Sequence, residues 1–193
     1  KWYADWVNPD GHAIIFYLAC LHWGPLQVGY AGHIDGANGR QTIRWLPGYA
    51  ALPTWQSTRL LWPDVLDKNG GEPLIWEAAP SATDTPTASA AFNLYQTPDN
   101  KHGLHWQPVM PNTQIKTVRS PRAHRGYVER LCMNFAPWHL GLRRLLWGRF
   151  CGQLHSVIWI VWEGAYPQSR AWFNGNACAP LTVTHLGAAN ADL

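Results

Sequence analysis

The chain has 193 residues, a length that suits one domain with a sizeable core. Charged residues make up only 14% of it, against roughly 25% in an average soluble domain. The formal net charge of +3 is small, and the local cluster of Arg119, Arg122, Arg125 and Arg130 is thinner than the basic stripe of a dedicated nucleic-acid binder. No stretch approaches the ~20 apolar residues of a membrane-spanning helix, although the low charge is compatible with peripheral membrane contact.

Thirteen tryptophans are the unusual feature of the composition. An indole combines a large apolar ring with a single hydrogen-bond donor. Such rings build a core, or they line a pocket for a ligand that is flat or long and apolar. The sequence therefore favours a protein that buries or binds apolar material.

The pattern along the chain is β from its first residues. Residues 1–7 and 12–23 are strand-like and flank the turn "NPDG", in which Pro9 presets φ and Gly11 tolerates a positive φ. A third strand is predicted at 26–34 and a fourth at 41–46. The stretch 47–73 is rich in Pro, Trp and Gly and gives no clear assignment.

The second half continues the same pattern. A short strand is predicted at 73–78, and the small, polar segment 79–91 is predicted to be an exposed loop. The signal "PDNKHG" predicts a hairpin between 91–97 and 104–110. The strands predicted after it are 113–119, 125–135, one near 143–150, 156–164, 169–175 and 181–186. About ten strands without a strong helical period predict one all-β domain over 1–193, a sandwich or an antiparallel barrel.

The four cysteines do not form a CxxC pattern, because no two are close in sequence. Cys20, Cys132 and Cys151 stand in apolar strand-like runs, where buried free thiols are common. We therefore expect reduced, mostly unreactive thiols and a cytoplasmic protein. An even count leaves disulfides open.

Three stretches resemble the carotenoid 1,2-hydratase and AttH-like group. They are "KWYADWVNPDGHAIIFYL", "RGYVERLCMNFAPWHLGLRRLLWGRF" and "HSVIWIVWEG". Where that group has Gly-Tyr-His-Asp, this chain has Gly126, Tyr127, Val128 and Glu129. The resemblance implies a lipocalin-like antiparallel barrel around an apolar ligand, corresponding to one of the two halves that such hydratases often have. It also implies the chemistry of relatives that hydrate terminal alkenes or cyclise polyenes.

The predicted catalytic residues are Glu129, Tyr127 and Arg149. Either Glu129 or Tyr127 would polarise the reacting group, and Glu129 is the main candidate. It shares the more apolar face of its strand with Tyr127, Leu131 and Met133. Inside an apolar cavity, burial would raise the pKa of this carboxyl and keep it neutral, so that it could protonate an alkene or donate a hydrogen bond. The alternatives are a structural pair with an arginine such as Arg149, expected on a neighbouring strand, or an outward-facing side chain.

The remaining candidates would assist Glu129 or bind the ligand. Arg149 could steady Glu129 or bind an oxyanion, while Gly148 would allow a close approach on the opposite face. His102 and His105 are the only closely spaced histidine pair, and their hairpin does not favour a metal site, so we predict none. The predicted substrate-binding residues are Trp2, Tyr3, Trp6, His105, Trp106, Leu131, Met133, Trp147 and Trp159, although core packing also explains the first three.

The functional hypothesis is a cofactor-free enzyme, a lyase of the hydratase type or an isomerase or cyclase, that acts on a long apolar or polyene-type molecule. A chain without a GxSxG elbow, phosphate loop or dinucleotide fingerprint does not indicate hydrolase-triad or nucleotide chemistry. One alternative is a carrier that binds a hydrophobic ligand without changing it. A further alternative is a carbohydrate-binding sandwich with exposed Trp platforms. We expect no nucleic-acid partner.

Overall fold

The structure is a computed structural model of an all-β chain. It describes residues 1–8, 10–47, 52–57, 59–64, 71–78, 92–97, 99, 101–117, 120–152 and 155–178. Fourteen strands and one short 3-10 helix, Pro137–Leu140, make up these residues. The predicted all-β, antiparallel fold class is confirmed.

The fourteen strands follow one another along the chain. In chain order they are β1 Trp2–Val7, β2 Ala13–Trp23, β3 Leu26–Asp35, β4 Arg40–Pro47, β5 Thr54–Gln56, β6 Arg59–Asp64, β7 Gly71–Ala78, β8 Phe92–Gln96, β9 Gly103–Thr117, β10 Ser120–Met133, β11 Leu142–Cys151, β12 Ser156–Gly164, β13 Gln168–Phe173 and β14 Asn176–Cys178. The predicted hairpins β1–β2 and β8–β9 both form. The predicted loop 79–91 and the predicted strand 181–186 lie outside the described residues.

The first ten strands form one antiparallel sheet. Its order is β4-β3-β2-β1-β10-β9-β7-β6-β5, and β8 pairs with β9 as a branch. Within the described ranges, β4 and β5 end this path without pairing to each other. The closure of the sheet into a barrel therefore stays a prediction.

The Cα packing divides the chain into two compact units, Lys1–Pro137 and Trp138–Leu193. The ten-stranded sheet belongs to the first unit, and β11–β14 form a four-stranded sheet in the second. Two compact units can belong to one domain or to two. The prediction of a single domain over 1–193 therefore remains a prediction.

The core of the first unit lies on one face of β1 and its neighbours. Trp2, Ala4 and Trp6 alternate inward, as their shared face predicts, and they are buried together with Leu18 and Trp76. Rings from strands distant in sequence meet here, because the Trp6 and Trp76 ring centroids are 5.6 Å apart. The odd-numbered residues of β1 consequently face the other way.

Two prolines shape the long strand β9. The sequence predicts separate strands at 104–110 and 113–119, but one strand runs through both. Proline cannot donate a ladder hydrogen bond, and Pro108 and Pro111 stand where the β9–β10 register shifts, on either side of Val128. The prolines therefore bulge the strand without ending it, directly beside Tyr127 and Glu129.

In the second unit, one indole fills the space beside a glycine. Trp159 on β12 pairs with Gly148 on β11 and with Ala171 on β13. A Cβ built on Gly148 would lie 2.0 Å from Trp159 Cζ2. The close approach predicted at Gly148 is therefore confirmed, and its partner is an indole ring.

Candidate functional site

Two tyrosines and two carboxylates form a hydrogen-bonded network on the face of β1 and β10 that points away from the tryptophan core. Across the strand pair, Tyr3 stands opposite Glu129 and Asp5 stands opposite Tyr127. The Tyr3 hydroxyl nevertheless donates along its own strand to Asp5 Oδ2 at 2.6 Å. The Tyr127 hydroxyl likewise donates along its strand to Glu129 Oε2 at 2.8 Å.

The rings of Tyr3 and Tyr127 are therefore each held at the hydroxyl end by a carboxylate. The ring centroids are 6.2 Å apart, and the ring planes are inclined at 61°. Tyr127 is fully buried and Asp5 is nearly so. Buried polar groups are stable only when they are hydrogen-bonded. The network meets this requirement through the hydrogen bonds of Tyr3 to Asp5 and of Tyr127 to Glu129.

The Glu129 carboxyl receives both of its hydrogen bonds on one oxygen. Trp106, which is buried on β9, donates from Nε1 to Glu129 Oε2 at 2.7 Å, and the Tyr127 hydroxyl bonds to the same atom. Among the described residues, none donates to Oε1. The two donors fix Oε2 as an acceptor, so a proton bound to this carboxyl would reside on Oε1, where it can be donated.

Burial is the largest influence on the protonation of this carboxyl. It raises the pKa of Glu129 above the ordinary value of 4.5, while the hydrogen bonds from Trp106 and Tyr127 and the charge of Lys1 act in the opposite direction. Burial also raises the pKa of Tyr17, and the charge of Glu129 adds to this effect. The surroundings thus favour a neutral carboxylic acid next to neutral phenols.

The raised pKa predicts how stability depends on pH. Because the folded-state pKa of Glu129 lies above its unfolded value, its stabilising contribution is fully present below the unfolded pKa and is lost as pH rises through the folded pKa. Relative to Glu129→Gln, which cannot titrate, the wild-type free energy of unfolding should fall as pH rises above about 4.5, by at most about 1.4 kcal/mol per pH unit. Urea unfolding of both proteins across this range checks it, and a constant difference would contradict the raised pKa.

An aromatic row leads from Glu129 across the sheet. Tyr3 on β1 has its ring 5.3 Å from that of Tyr17 on β2, and Tyr30 on β3 is 5.8 Å from Trp45 on β4. Tyr17 links the two pairs, since its charge contributes, after burial, to raising the pKa of Tyr30. Five strands at about 4.8 Å spacing give the row a length of roughly 19 Å.

Exposure increases along this aromatic row. The three tyrosines are partly buried, whereas Trp45 is 64% exposed. Lys1 Nζ lies over the Tyr17 ring, 4.5 Å from its centroid. The row thus connects a half-buried acid to solvent along ring faces and edges.

The structure brings together part of the predicted site. Glu129, Tyr127, Trp106 and Tyr3 lie on one face of the first sheet. The same side of β10 continues from Glu129 to Leu131 and Met133. Leu131 stands opposite Trp106, and Met133 stands opposite Leu104.

The predicted placement of Arg149 is wrong. The strands that pair with β10 are β1 and β9, and Arg149 lies on β11, where it stands opposite Ile158 in the other sheet. Arg149 is close to Glu129 in sequence, but their strands are not neighbours in a sheet. The short 3-10 helix at Pro137–Leu140 separates the two sheets along the chain.

Other predicted ligand-binding residues lie elsewhere. Trp2 and Trp6 belong to the apolar core on the opposite face of β1. His105 is exposed, and its Nδ1 is 2.5 Å from Asn93 Oδ1 on β8. Trp147 and Trp159 lie in the four-stranded sheet, where Trp147 stands opposite Ile160 and Trp159 stands opposite Gly148.

The cysteines are less buried than the sequence predicts. Cys20, Cys132 and Cys151 are partly exposed, Cys178 is exposed, and none of the four forms a disulfide bond. Within the part of the chain that the structure describes, no three His, Cys, Asp or Glu side chains converge as metal ligands, and no helix is long and apolar enough to cross a membrane.

Asp5, Tyr17 and the two prolines of β9 also belong to this site, although none of them was among the site residues predicted from the sequence. Alternation in "WYADWV" already places Asp5 on the face of Tyr3, which was the available signal. Tyr17 becomes visible only when β2 is paired with β1, because it stands opposite Tyr3.

Comparisons with models of known protein families, with curated proteins and with solved structures give no match.

Proposed function

We propose that the chain is a cofactor-free enzyme in which Glu129 protonates a carbon–carbon double bond of a long apolar or polyene-type molecule. The observation that carries the proposal is the hydrogen bonding of Glu129, whose two donors both bind Oε2. This arrangement leaves Oε1 as the position of a transferable proton. A raised pKa supports the same role, because a general acid must hold its proton near the working pH.

The chemistry follows from that proton. Glu129 gives the proton on Oε1 to one alkene carbon, the π electrons form the new C–H bond, and the other carbon becomes a cation. The Glu129 carboxylate, still bound by Trp106 and Tyr127, is stabilised as its charge develops. Addition of water and return of one proton to Glu129 gives hydration. Attack by a second double bond, followed by proton loss to Glu129, gives cyclisation, and direct proton loss from a neighbouring carbon gives isomerisation.

The aromatic row supports the choice of substrate. Ring faces stabilise a cation by cation–π attraction, at roughly 0.5–2 kcal/mol for each contact. Tyr3 and Tyr17 are the rings nearest to Glu129 along the row. An extended unsaturated chain would lie against these rings with its reacting end at Glu129.

The outer end of the row gives a prediction. Trp45→Ala should weaken the binding of a polyene long enough to span the row by about tenfold, because it removes the most exposed ring, and should leave a ligand of half that length almost unaffected. Titrations monitored by tryptophan quenching measure both constants. Trp138→Ala is the matched control, since Trp138 is also exposed, at 77%, but lies outside the row. Equal losses for short and long ligands would contradict the proposed path.

Incubation in D2O tests the proposed reaction. The protein is incubated with a panel of acyclic terpenoid and carotenoid polyenes, and the recovered molecules are analysed by mass spectrometry. Protonation by an exchangeable carboxyl should place deuterium on the former alkene carbon of the product. Recovery of a tightly bound polyene unchanged and without deuterium would favour the carrier instead.

The carrier is the second candidate, and the aromatic row would serve it equally well. The carbohydrate-binding alternative has less support. Among the described residues, the exposed indoles Trp45, Trp55 and Trp138 lie on three different elements and no two of them pair in register. Four cysteines outside disulfide bonds support our proposal of a cytoplasmic location, and the partner that we propose is the hydrophobic ligand alone.

A further inference from the structure

A thiol, an imidazole and an amide lie in contact at the end of the β2–β3 hairpin, on the face opposite Glu129. Cys20 Sγ is 3.4 Å from His22 Nε2. His22 Nδ1 is in turn 3.0 Å from Nε2 of the Gln27 side-chain amide, whose oxygen and nitrogen can exchange places by rotation. Cys20 and His22 are two residues apart on β2, so their side chains share a face, and Gln27 stands directly opposite His22 on β3.

We propose that Cys20 is a site of reversible thiol–disulfide exchange with small-molecule disulfides, with His22 as its proton acceptor and Gln27 as the residue that orients the imidazole. A nucleophile, a base within hydrogen-bond reach and a third group that holds the base are the parts of an activated thiol. This site is independent of the function proposed for Glu129.

The contact between Cys20 and His22 can be a hydrogen bond in both tautomers of the ring. When the Gln27 oxygen faces the ring, Nδ1 carries the proton and Nε2 can accept the proton of the Cys20 thiol. When the Gln27 nitrogen faces the ring, Nδ1 accepts and the Nε2 hydrogen is directed at the sulfur, which stabilises its negative charge. The thiolate is the nucleophile in disulfide exchange.

The surroundings give a small reagent access to the sulfur. Cys20 is partly exposed, and His22 and Gln27 are exposed. The residue opposite Cys20 on β3 is Gly29, which has no side chain to cover the thiol.

The exchange reaction balances without any further reagent. When the Gln27 oxygen faces the ring, the Cys20 thiol gives its proton to His22 Nε2, and the sulfur attacks one sulfur of the disulfide. The S–S bond of the reagent breaks, a new S–S bond to Cys20 forms, and the released thiolate takes the proton from His22. Cys20 is oxidised and the leaving half of the reagent is reduced.

The other thiols provide comparisons within the same molecule. Cys178 is exposed and donates to the Asn176 carbonyl oxygen at 3.6 Å. Cys132 stands opposite His105, but the Nδ1 of that ring bonds to Asn93, and Cys132 makes no hydrogen bond to the described residues. If exposure alone decided reactivity, Cys178 would react fastest.

The test is the reaction of the full chain with glutathione disulfide, followed by mass spectrometry of each cysteine-containing peptide. We expect Cys20 to be modified at least tenfold faster than Cys178, and dithiothreitol to reverse the modification. His22→Gln should slow Cys20 about tenfold and leave the rate of Cys178 unchanged. Gln27→Ala should slow Cys20 about threefold, since it releases the ring without removing it.

The Cys178 rate and the circular dichroism spectrum show whether each variant is folded. A Cys20 rate equal to or below that of Cys178 in the wild type would overturn the proposal. A Cys20 rate unchanged in both folded variants, His22→Gln and Gln27→Ala, would overturn it as well.

Discussion

Replacing Glu129 with glutamine is expected to lower turnover by about 10²- to 10⁴-fold, the usual contribution of a general acid, while ligand binding and folding persist. Glutamine keeps the shape of the side chain. Its amide oxygen can take the place of Oε2 and accept from Trp106 and Tyr127, whose donors lie 2.7 and 2.8 Å from that atom. Its amide nitrogen takes the place of Oε1 and has no acidic proton to transfer. The loss should therefore be in kcat rather than in the dissociation constant.

Glu163→Gln is the matched control for this substitution. Glu163 also lies on a strand, and its carboxylate pairs with Arg143 at 3.7 Å in the second sheet. Since a solvent-accessible ion pair between an exposed arginine and a partly buried glutamate contributes little to stability, the variant should keep full turnover. If Glu129 had a structural role, Glu129→Gln would instead have a lower melting temperature than the wild type at a pH where the Glu129 carboxyl is neutral. Its turnover per folded molecule would be preserved.

Gly126→Ala is expected to destabilise the first unit by about 3 kcal/mol, at the upper end of the usual cost of overpacking. A Cβ at this position would lie 2.5 Å from the Asp5 carbonyl oxygen, 2.5 Å from Ile115 Cδ1 and 3.0 Å from Trp76 Cζ3. The first of these atoms is backbone, so relief requires β1 to move away from β10. That movement would also separate Tyr3 from Glu129, which stand opposite each other three residues further along β10.

Urea unfolding at constant pH measures this effect, and Gly32→Ala is its control. A Cβ on Gly32 would meet Tyr17 Cδ2 at 3.5 Å, which is ordinary van der Waals contact. We expect its free energy of unfolding to stay within about 0.5 kcal/mol of the wild-type value. Similar values for the two variants would show that β1 and β10 are not packed as closely as the structure has them.

Alternation in the sequence was sufficient to predict which face of the sheet each side chain at the site occupies. Period-two alternation separates Trp2, Ala4 and Trp6 from Tyr3 and Asp5. The same rule places Tyr127 and Glu129 on one side of β10. This information is local, because side-chain direction along a strand depends only on residue parity.

The tertiary structure alone decided which strands meet, and with them the chemistry of Glu129. β1 pairs with β10 although 112 residues lie between the end of one strand and the start of the other. Trp106 reaches Glu129 across a ladder that Pro108 and Pro111 shift in register. Arg149, only twenty residues from Glu129, lies in a different sheet. Alternation fixes the face of each side chain but not the neighbouring strand, because partner choice depends on packing between distant segments. The donors that bind Oε2 and leave Oε1 unbound therefore became visible only in the folded chain.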